Sequence, residues 1–486
     1  MRIIETVWIP LSDGCRLAAR LWLPDESSPV PAILEYLPYR RRDRHRGDDA
    51  VLHPGLAGCG YAALRVDMRG AGDSDGLMND EYTPQEWRDA CEVIAWIAAQ
   101  DWCSGSVGLI GISWSGFNAL QIAALRPPAL KAIVTACSTD DRYADDMHYM
   151  GGALLKDNLQ YGATLFTWTP TPPDPAIVGD RWKAMWLARL NAMDLPPAAR
   201  WMQHPQRDDY FDGPPAATAL QLLGRAEVRL ELCADNPLAM LAVRLNAVAP
   251  DGTAIRVSYG LLNLAARNGF DRAEPLVPGH YYQINVLLKA AAFVLPSGYR
   301  LRVALSTCYW PLAAPLPVRP VLTVQRGSVI LPLRDPDAEV CPPPALGDPW
   351  SSPPVPARVL VAPARGRQRV IRDMDDGETT LRWCIILAQL NWRRPDCALR
   401  RWAARSIASM LTTPPAPVPK PGAAPAFIAA TGRPGWRFTA CLPLTPAAGG
   451  WRLESILDAW DGEEPCFSRR WRLDFPFFSP SGDEPA

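Results

Sequence analysis

Nowhere does the chain hold an apolar run approaching the roughly 18 residues that a membrane-spanning helix needs. Its first residues, MRIIETVWIPLSDGCRL, alternate in polarity and lack the long apolar stretch of a secretion signal. Neither sign of charge is in excess: 50 Lys and Arg face 51 Asp and Glu, a net charge of -1. Nothing electrostatic therefore draws the chain to nucleic acid or to an anionic membrane. The 12 cysteines include no Cys-x-x-Cys pair, which argues against a zinc ribbon or a disulfide framework and for reduced, buried thiols. Histidine is scarce, with five in 486 residues, and no segment repeats at a fixed period. A soluble cytoplasmic protein of two or three domains is expected, without metal or cofactor.

Proline, by contrast, is abundant at 51 residues, about twice the ordinary share. It clusters in WTPTPPDPA (168–176), CPPPALGDPWSSPPVPA (341–357) and TPPAPVPKPGAAPA (413–426), which read as stiff connectors. Residues 1–141 alternate strand and helix patterns. ETVWIPL and RLAARLWLP predict a hairpin around Asp13-Gly14, a strong turn pair. VPAILEYLPY and YAALRVDM are strand-length apolar runs. A helix is predicted over 84–100: Thr83 caps it, Pro84 suits its first turn, Glu86 completes a capping box, and Trp87, Cys91, Ile94 and Ala98 share one face. The strand VGLIGI, the helix SGFNALQIAAL, the stop at Arg126-Pro127-Pro128 and the strand LKAIVTAC follow. Such alternation predicts an α/β fold with a mostly parallel sheet and helices on its faces. Residues 142–224 are rich in Trp, Met and Ala and read as a helical segment. From 225 to 480 short strands such as VRLEL, AMLAVRLNAV, YYQINVLL and RLESILDAW predict a β-sandwich.

The stretch VGLIGISWSGFNAL carries the chemistry. A buried strand runs through Gly111 into Ser113 and then directly into a helix, with Ser115 and Gly116 close behind. Small residues are needed where a sharp strand-to-helix turn brings backbone segments together. The Trp114 amide is left free at a helix N-terminus, where a developing oxyanion is stabilised. The pattern is G-x-S-x-x-G rather than the commoner G-x-S-x-G, so a buried strand meeting a helix with an incidental serine is the competing reading. Gly70-x-Gly72 also follows a strand. However, the next helix begins only near Pro84, so this is a tight loop and not a phosphate cradle.

The segments PYRRRDR, VDMRGAGDSDG, DWCSGSVGLIGISWSGFNALQIAAL and RYADDMHYMGG resemble the X-Pro dipeptidyl-peptidase and cocaine-esterase family of serine hydrolases. ADNPLAMLAVRLNAVAPDG and LRVALSTCYWPLA resemble that family's C-terminal domain. The resemblance implies an α/β-hydrolase core (1–141), a helical cap (142–224) and a jelly-roll, galactose-binding-like sandwich (225–480). It implies hydrolysis of a small ester or short peptide through an acyl-serine, with a homo-oligomer allowed. It makes Ser113 the nucleophile, with the Tyr39 hydroxyl and the Trp114 N–H as oxyanion donors. Trp168, Tyr309 and Trp310 become expected substrate-pocket residues, and His148 a pocket or cap-base residue.

One departure stands out. A serine nucleophile needs a base and an orienting acid, which this fold supplies in the order Ser, acid, His. After LKAIVTAC the chain passes through the helical segment almost directly into the sandwich, as if the stretch carrying acid and base were deleted and the core truncated after the cap. His45 and His53 are expected at the surface, and His204 and His280 in structural roles. A makeshift Ser113–His148–Asp140 triad is the remaining arrangement. Asp140, Asp141, Asp145 and Asp146 read as a solvated helix start, not a cation site. Trp182 and Trp186 either line an aromatic acyl pocket with Trp168 or pack the cap. Two functions follow: a serine hydrolase, or a non-catalytic member that binds a ligand.

Overall fold

The computed structural model describes residues 1–206 except 26–27, 43–45 and 140; residue 210; residues 225–332 except 294, 296–298, 311, 315, 317 and 319; and strands between 357 and 476. His45, Asp140 and the two proline clusters after 340 lie largely or wholly outside the described residues.

Six strands form the first sheet: β1 (Arg2–Pro10), β2 (Arg16–Leu23), β3 (Val30–Leu37), β4 (Ala62–Asp67), β5 (Cys103–Ile112) and β6 (Leu130–Ala136), in the order β1-β2-β4-β3-β5-β6. β1 and β2 make the hairpin around Asp13-Gly14, where Gly14 takes φ +84° and Leu11 N–H donates to the Cys15 carbonyl. β3 runs parallel to both β4 and β5, and β5 parallel to β6. Helices α1 (Arg46–Gly58), α2 (Pro84–Ala98) and α3 (Trp114–Ala124) are the crossovers that parallel pairing demands. Among the described residues the sheet ends at β6. That strand is poorly covered: Val134 is 62% exposed, and Ile112 at the end of β5 is 64% exposed.

The helix α2 shows where local pattern misleads. Its buried face is Glu86, Asp89, Ala90, Val93, Ile94 and Ile97, whereas Trp87, Cys91 and Ala98 lie half-buried on the flank. Two acids occupy inward positions because each has a hydrogen-bond partner, Asp89 the half-buried Arg69 and Glu86 the buried Trp114 and Asn118. The cap differs too. Thr83 Oγ1 accepts from Glu86 N–H, but the Glu86 carboxylate accepts from Tyr82 N–H, one residue earlier than a capping box requires.

The cap carries a two-strand hairpin, β7 (Tyr149–Met150) and β8 (Ala153–Leu154), then α4 (Lys156–Trp168), α5 (Pro175–Val178), α6 (Trp182–Ala192) and α7 (Pro197–Met202). The connector WTPTPPDPA is anchored by buried arginines of the PYRRRDR segment. Arg40 donates to the Thr171 and Pro172 carbonyls, and Arg42 pairs with Asp174. Arg189 of α6 is buried and donates to the Gly72 and Ser74 carbonyls, locking cap to core loop.

Two facing three-stranded antiparallel sheets follow: β11-β10-β13 (Ala254–Asn263, Met240–Val248, Arg300–Ser306) and β12-β9-β14 (Tyr282–Leu287, Glu227–Ala234, Leu322–Ile330). Leu230, Leu232, Val243, Leu245, Ile284 and Val286 fill the space between them. The sandwich is expected to run to residue 480, and β-strands continue to Pro476. Eight strands between Ala364–Arg372 and Glu464–Pro476 build a further sheet, while Gln389–Trp392 pairs with Ala357–Val361 apart from it. Leu444, Trp451, Leu453 and Phe475 of that sheet join the apolar cluster of the core and cap, and Trp471 meets Phe166 of α4 edge-on at 5.8 Å. Among the described cysteines all are free. Cys103 is buried, but Cys59, Cys137 and Cys308 are exposed, against the expectation of buried thiols. Among the described residues no helix is long and apolar enough to cross a membrane.

Candidate active site

Ser113 sits at φ 58°, ψ −119°, a conformation that costs an L-residue energy and is kept only when its surroundings impose it. Those surroundings are visible. Ser113 N–H donates to the Ala136 carbonyl of β6 at 2.9 Å, and the Ser113 carbonyl accepts from the Gly116 and Phe117 amides as α3 starts. A Cβ at Gly111 would overlap the Ser115 side chain and carbonyl carbon, and one at Gly116 would lie 2.9 Å from Ser138 Oγ. Small residues are thus required on both sides of the bend. Ser113 is partly exposed, not sealed under hydrocarbon. Trp114 is the first residue of α3, so its amide has no intrahelical acceptor. Its indole is clamped below: Nε1 donates to Glu86 Oε1 at 3.0 Å, and Asn118 donates to the same oxygen at 3.1 Å. Burial pushes the Glu86 carboxyl up to about 7.

Tyr39 follows β3 at the same sheet edge and is buried. Its hydroxyl hydrogen-bonds the Ser113 side chain and lies 2.5 Å from the hydroxyl of Tyr161 on α4. Burial raises the Tyr39 phenol above its ordinary value, so it remains a protonated donor. The ring is held edge-on to Trp168 at 4.9 Å and to Trp114 at 6.1 Å. Ser113, Trp114, Tyr39 and Trp168 are therefore gathered at one place. Trp186 instead is fully buried, donating from Nε1 to the Pro170 carbonyl and stacking with Trp182: cap packing, not a pocket wall. Tyr309 is bonded to Arg256 and packs on Tyr259 of the sandwich. Its loop, with the half-buried Trp310, meets the cap through the Lys156 N–H to Leu312 carbonyl bond at 3.0 Å.

His148 is not free to act as the base. His148 is 1% exposed; Nε2 lies 3.0 Å from Glu81 Oε1, Nδ1 lies 2.9 Å from Asn158 Oδ1, and its ring packs on Trp201 at 4.4 Å. Arg142 pairs with the same Glu81 oxygen. Although burial works against charge on His148, Glu81 raises its pKa, and this imidazolium in turn helps Arg142 hold Glu81 below the ordinary range. Both ring nitrogens are committed to structure. The acidic run is likewise no solvated helix start. Asp141 caps the Tyr143 and Ala144 amides, Asp145 pairs with Arg225 and Lys289, and Asp146 is buried beside His148. His53 corrects another expectation, being buried and stacked on Trp22 at 4.5 Å. His204 stacks on Tyr210, and His280 meets Tyr282 just before β12.

One group of metal-ligating type exists among the described residues: Glu35, Asp49 and His53, with ligand atoms within 4.8 Å of one another. Arg65 already fills the role of cation there, 3.3 Å from Asp49 and 3.9 Å from Glu35. Burial pushes Asp49 up to about 7 and His53 down to about 3. Tyr161, which touches Tyr39, and Glu86, which holds the Trp114 indole together with Asn118, are residues that sequence reasoning did not assign to the site. Only Glu86 had a local signal, and that signal was for a helix start.

The family model for X-Pro dipeptidyl-peptidase (S15 family) matches residues 13–229, and that for the X-Pro dipeptidyl-peptidase C-terminal non-catalytic domain matches 178–365. The chain is 34% identical over 160 residues to cocaine esterase of Rhodococcus sp. (strain MB1 Bresler), covering 32% of this chain and 27% of that one. It thus spans about a quarter of the length of the curated relative it matches. Among solved structures, a selenomethionine-labelled α-amino acid ester hydrolase superposes with a TM-score of 0.51 at 16% identity, over 68% of this chain and 97% of that one. A CocE/NonD family hydrolase from Staphylococcus aureus gives 0.45 at 14% identity, over 62% and 85%. With the S15 family and its C-terminal non-catalytic domain matched in that order across residues 13–365, the chain belongs to the X-Pro dipeptidyl-peptidase and cocaine-esterase family.

Proposed function

We propose that the protein is a serine hydrolase cleaving acyl bonds of small esters or short peptides through an acyl-Ser113 intermediate. One observation carries this reading: a serine at φ 58° on a strand-to-helix bend whose side chain hydrogen-bonds a buried tyrosine hydroxyl. Ser113 Oγ attacks the carbonyl carbon and its proton passes to solvent water, since both ring nitrogens of His148 are taken by Glu81 and Asn158; the carbonyl oxygen gains the negative charge. The Tyr39 hydroxyl and the Trp114 amide donate to that oxygen, the leaving group departs, and water then releases the acid. The aromatic edge formed by Tyr39, Trp114 and Trp168 favours an aromatic or bulky apolar acyl group, and the likeness to cocaine esterase favours an ester over a peptide with proline at its second position. The protein acts in the cytoplasm without cofactor, its sandwich a non-catalytic jelly-roll module.

Incubation of the full chain with a fluorophosphonate probe tests the reading. Stoichiometric labelling at Ser113, lost in Ser113→Ala, is the expected result. A well-folded sample that takes no label overturns it and supports a ligand-binding member without catalysis.

A further inference from the structure

The oxyanion donor Tyr39 belongs to the core, yet the group fixing its hydroxyl comes from the cap. Tyr161 of α4 places its hydroxyl 2.5 Å from that of Tyr39. Each phenol has one proton. If Tyr39 gives its proton to the oxyanion, the short contact requires Tyr161 to donate into the Tyr39 oxygen. We propose that Tyr161 is a positioning residue for the oxyanion hole, orienting and polarising the Tyr39 hydroxyl through this bond. The inference rests on the hydrolase reading above.

Two further observations support it. Tyr161 is itself held: its ring stacks on Trp201 of α7 at 5.6 Å, with planes only 8° apart. The Tyr39 ring is restrained by the edges of Trp168 and Trp114, but ring contacts do not choose between the two in-plane positions of the phenolic proton. A hydrogen bond makes that choice, and a donor chain of two hydroxyls strengthens its terminal donor. The bond also ties the catalytic hydroxyl to cap placement, because α4 and α7 move with the cap.

The test measures fluorophosphonate labelling of full-length protein, resolved into the maximal rate constant kinact and the half-saturating concentration KI. Tyr161→Phe keeps the stacking on Trp201 and removes only the hydroxyl. It should lower kinact about tenfold, as expected for one lost polar contact in the transition state, with KI changed less than about twofold. In a Tyr39→Phe background the same change should have no further effect. Tyr161→Phe labelling at the parent rate, or losses that multiply in the double variant, overturns the inference while leaving the hydrolase reading intact. Absence of labelling in the parent overturns both. A Tyr161→Leu variant separates packing: if it alone slows labelling, the ring and not the hydroxyl matters, and the inference fails.

Discussion

Glu81→Gln probes the buried network that removes His148 from the active site. One carboxylate oxygen serves both Arg142 and His148 Nε2, and all three groups are almost wholly buried. The amide keeps the shape but withdraws the charge between the two cations, while Asp146, whose oxygen lies 3.9 Å from His148, keeps its own. Breaking a buried pair by neutralising one partner costs about 3–5 kcal/mol. The pH profile identifies the cause. Glu81 has a lowered folded pKa, so its contribution is present above the unfolded value of 4.5 and fades as pH falls through the folded value. His148 has a raised pKa, so its contribution is complete below 6.5 and fades as pH rises through the folded value. Parent and variant should therefore differ most in the window between those unfolded values, and less at pH 9, where Arg142 alone still demands the charge. Urea unfolding followed by tryptophan fluorescence reads the difference for the transition of the core–cap unit. A gap below about 1 kcal/mol near pH 5.5, or one that widens steadily toward pH 9, refutes the reasoning.

Gly111→Ala should abolish Ser113 labelling and destabilise the chain by about 3 kcal/mol or more, since the added methyl meets Ser115 backbone, which cannot yield without opening the bend; labelling alongside thermal unfolding checks both. Tyr39→Phe should slow labelling about 100-fold or more, the cost of one oxyanion donor, with the fold intact by circular dichroism; a loss under threefold would place the tyrosine outside the mechanism. Val134→Lys on the exposed β6 edge should change stability by no more than about 0.5 kcal/mol and reduce self-association seen by size-exclusion chromatography. Unchanged elution of a self-associating parent would show that the edge is not the contact.

Ser113 and its bend were legible from the chain because their determinants are local: a strand, small residues at 111 and 116, and a helix start all lie within ten positions. The hairpin at Asp13-Gly14 and the parallel sheet were legible for the same reason. What needed tertiary structure was every partner far along the chain. The bond between Tyr39 and Tyr161, separated by 122 positions, has no signature in either neighbourhood. Neither has the pairing of Glu81 with Arg142, 61 positions on, which turned His148 from a candidate base into a buried strut. His53 was expected outside because it follows a basic loop, but the chain buries it against the Trp22 ring. The strands after 357 read as more of the sandwich, since period-2 alternation names a strand and not its neighbours. Local sequence determines backbone shape and small-residue necessity. Which buried charges find partners, and which sheet a strand joins, is settled by long-range packing and desolvation, and those act only once the chain has closed on itself.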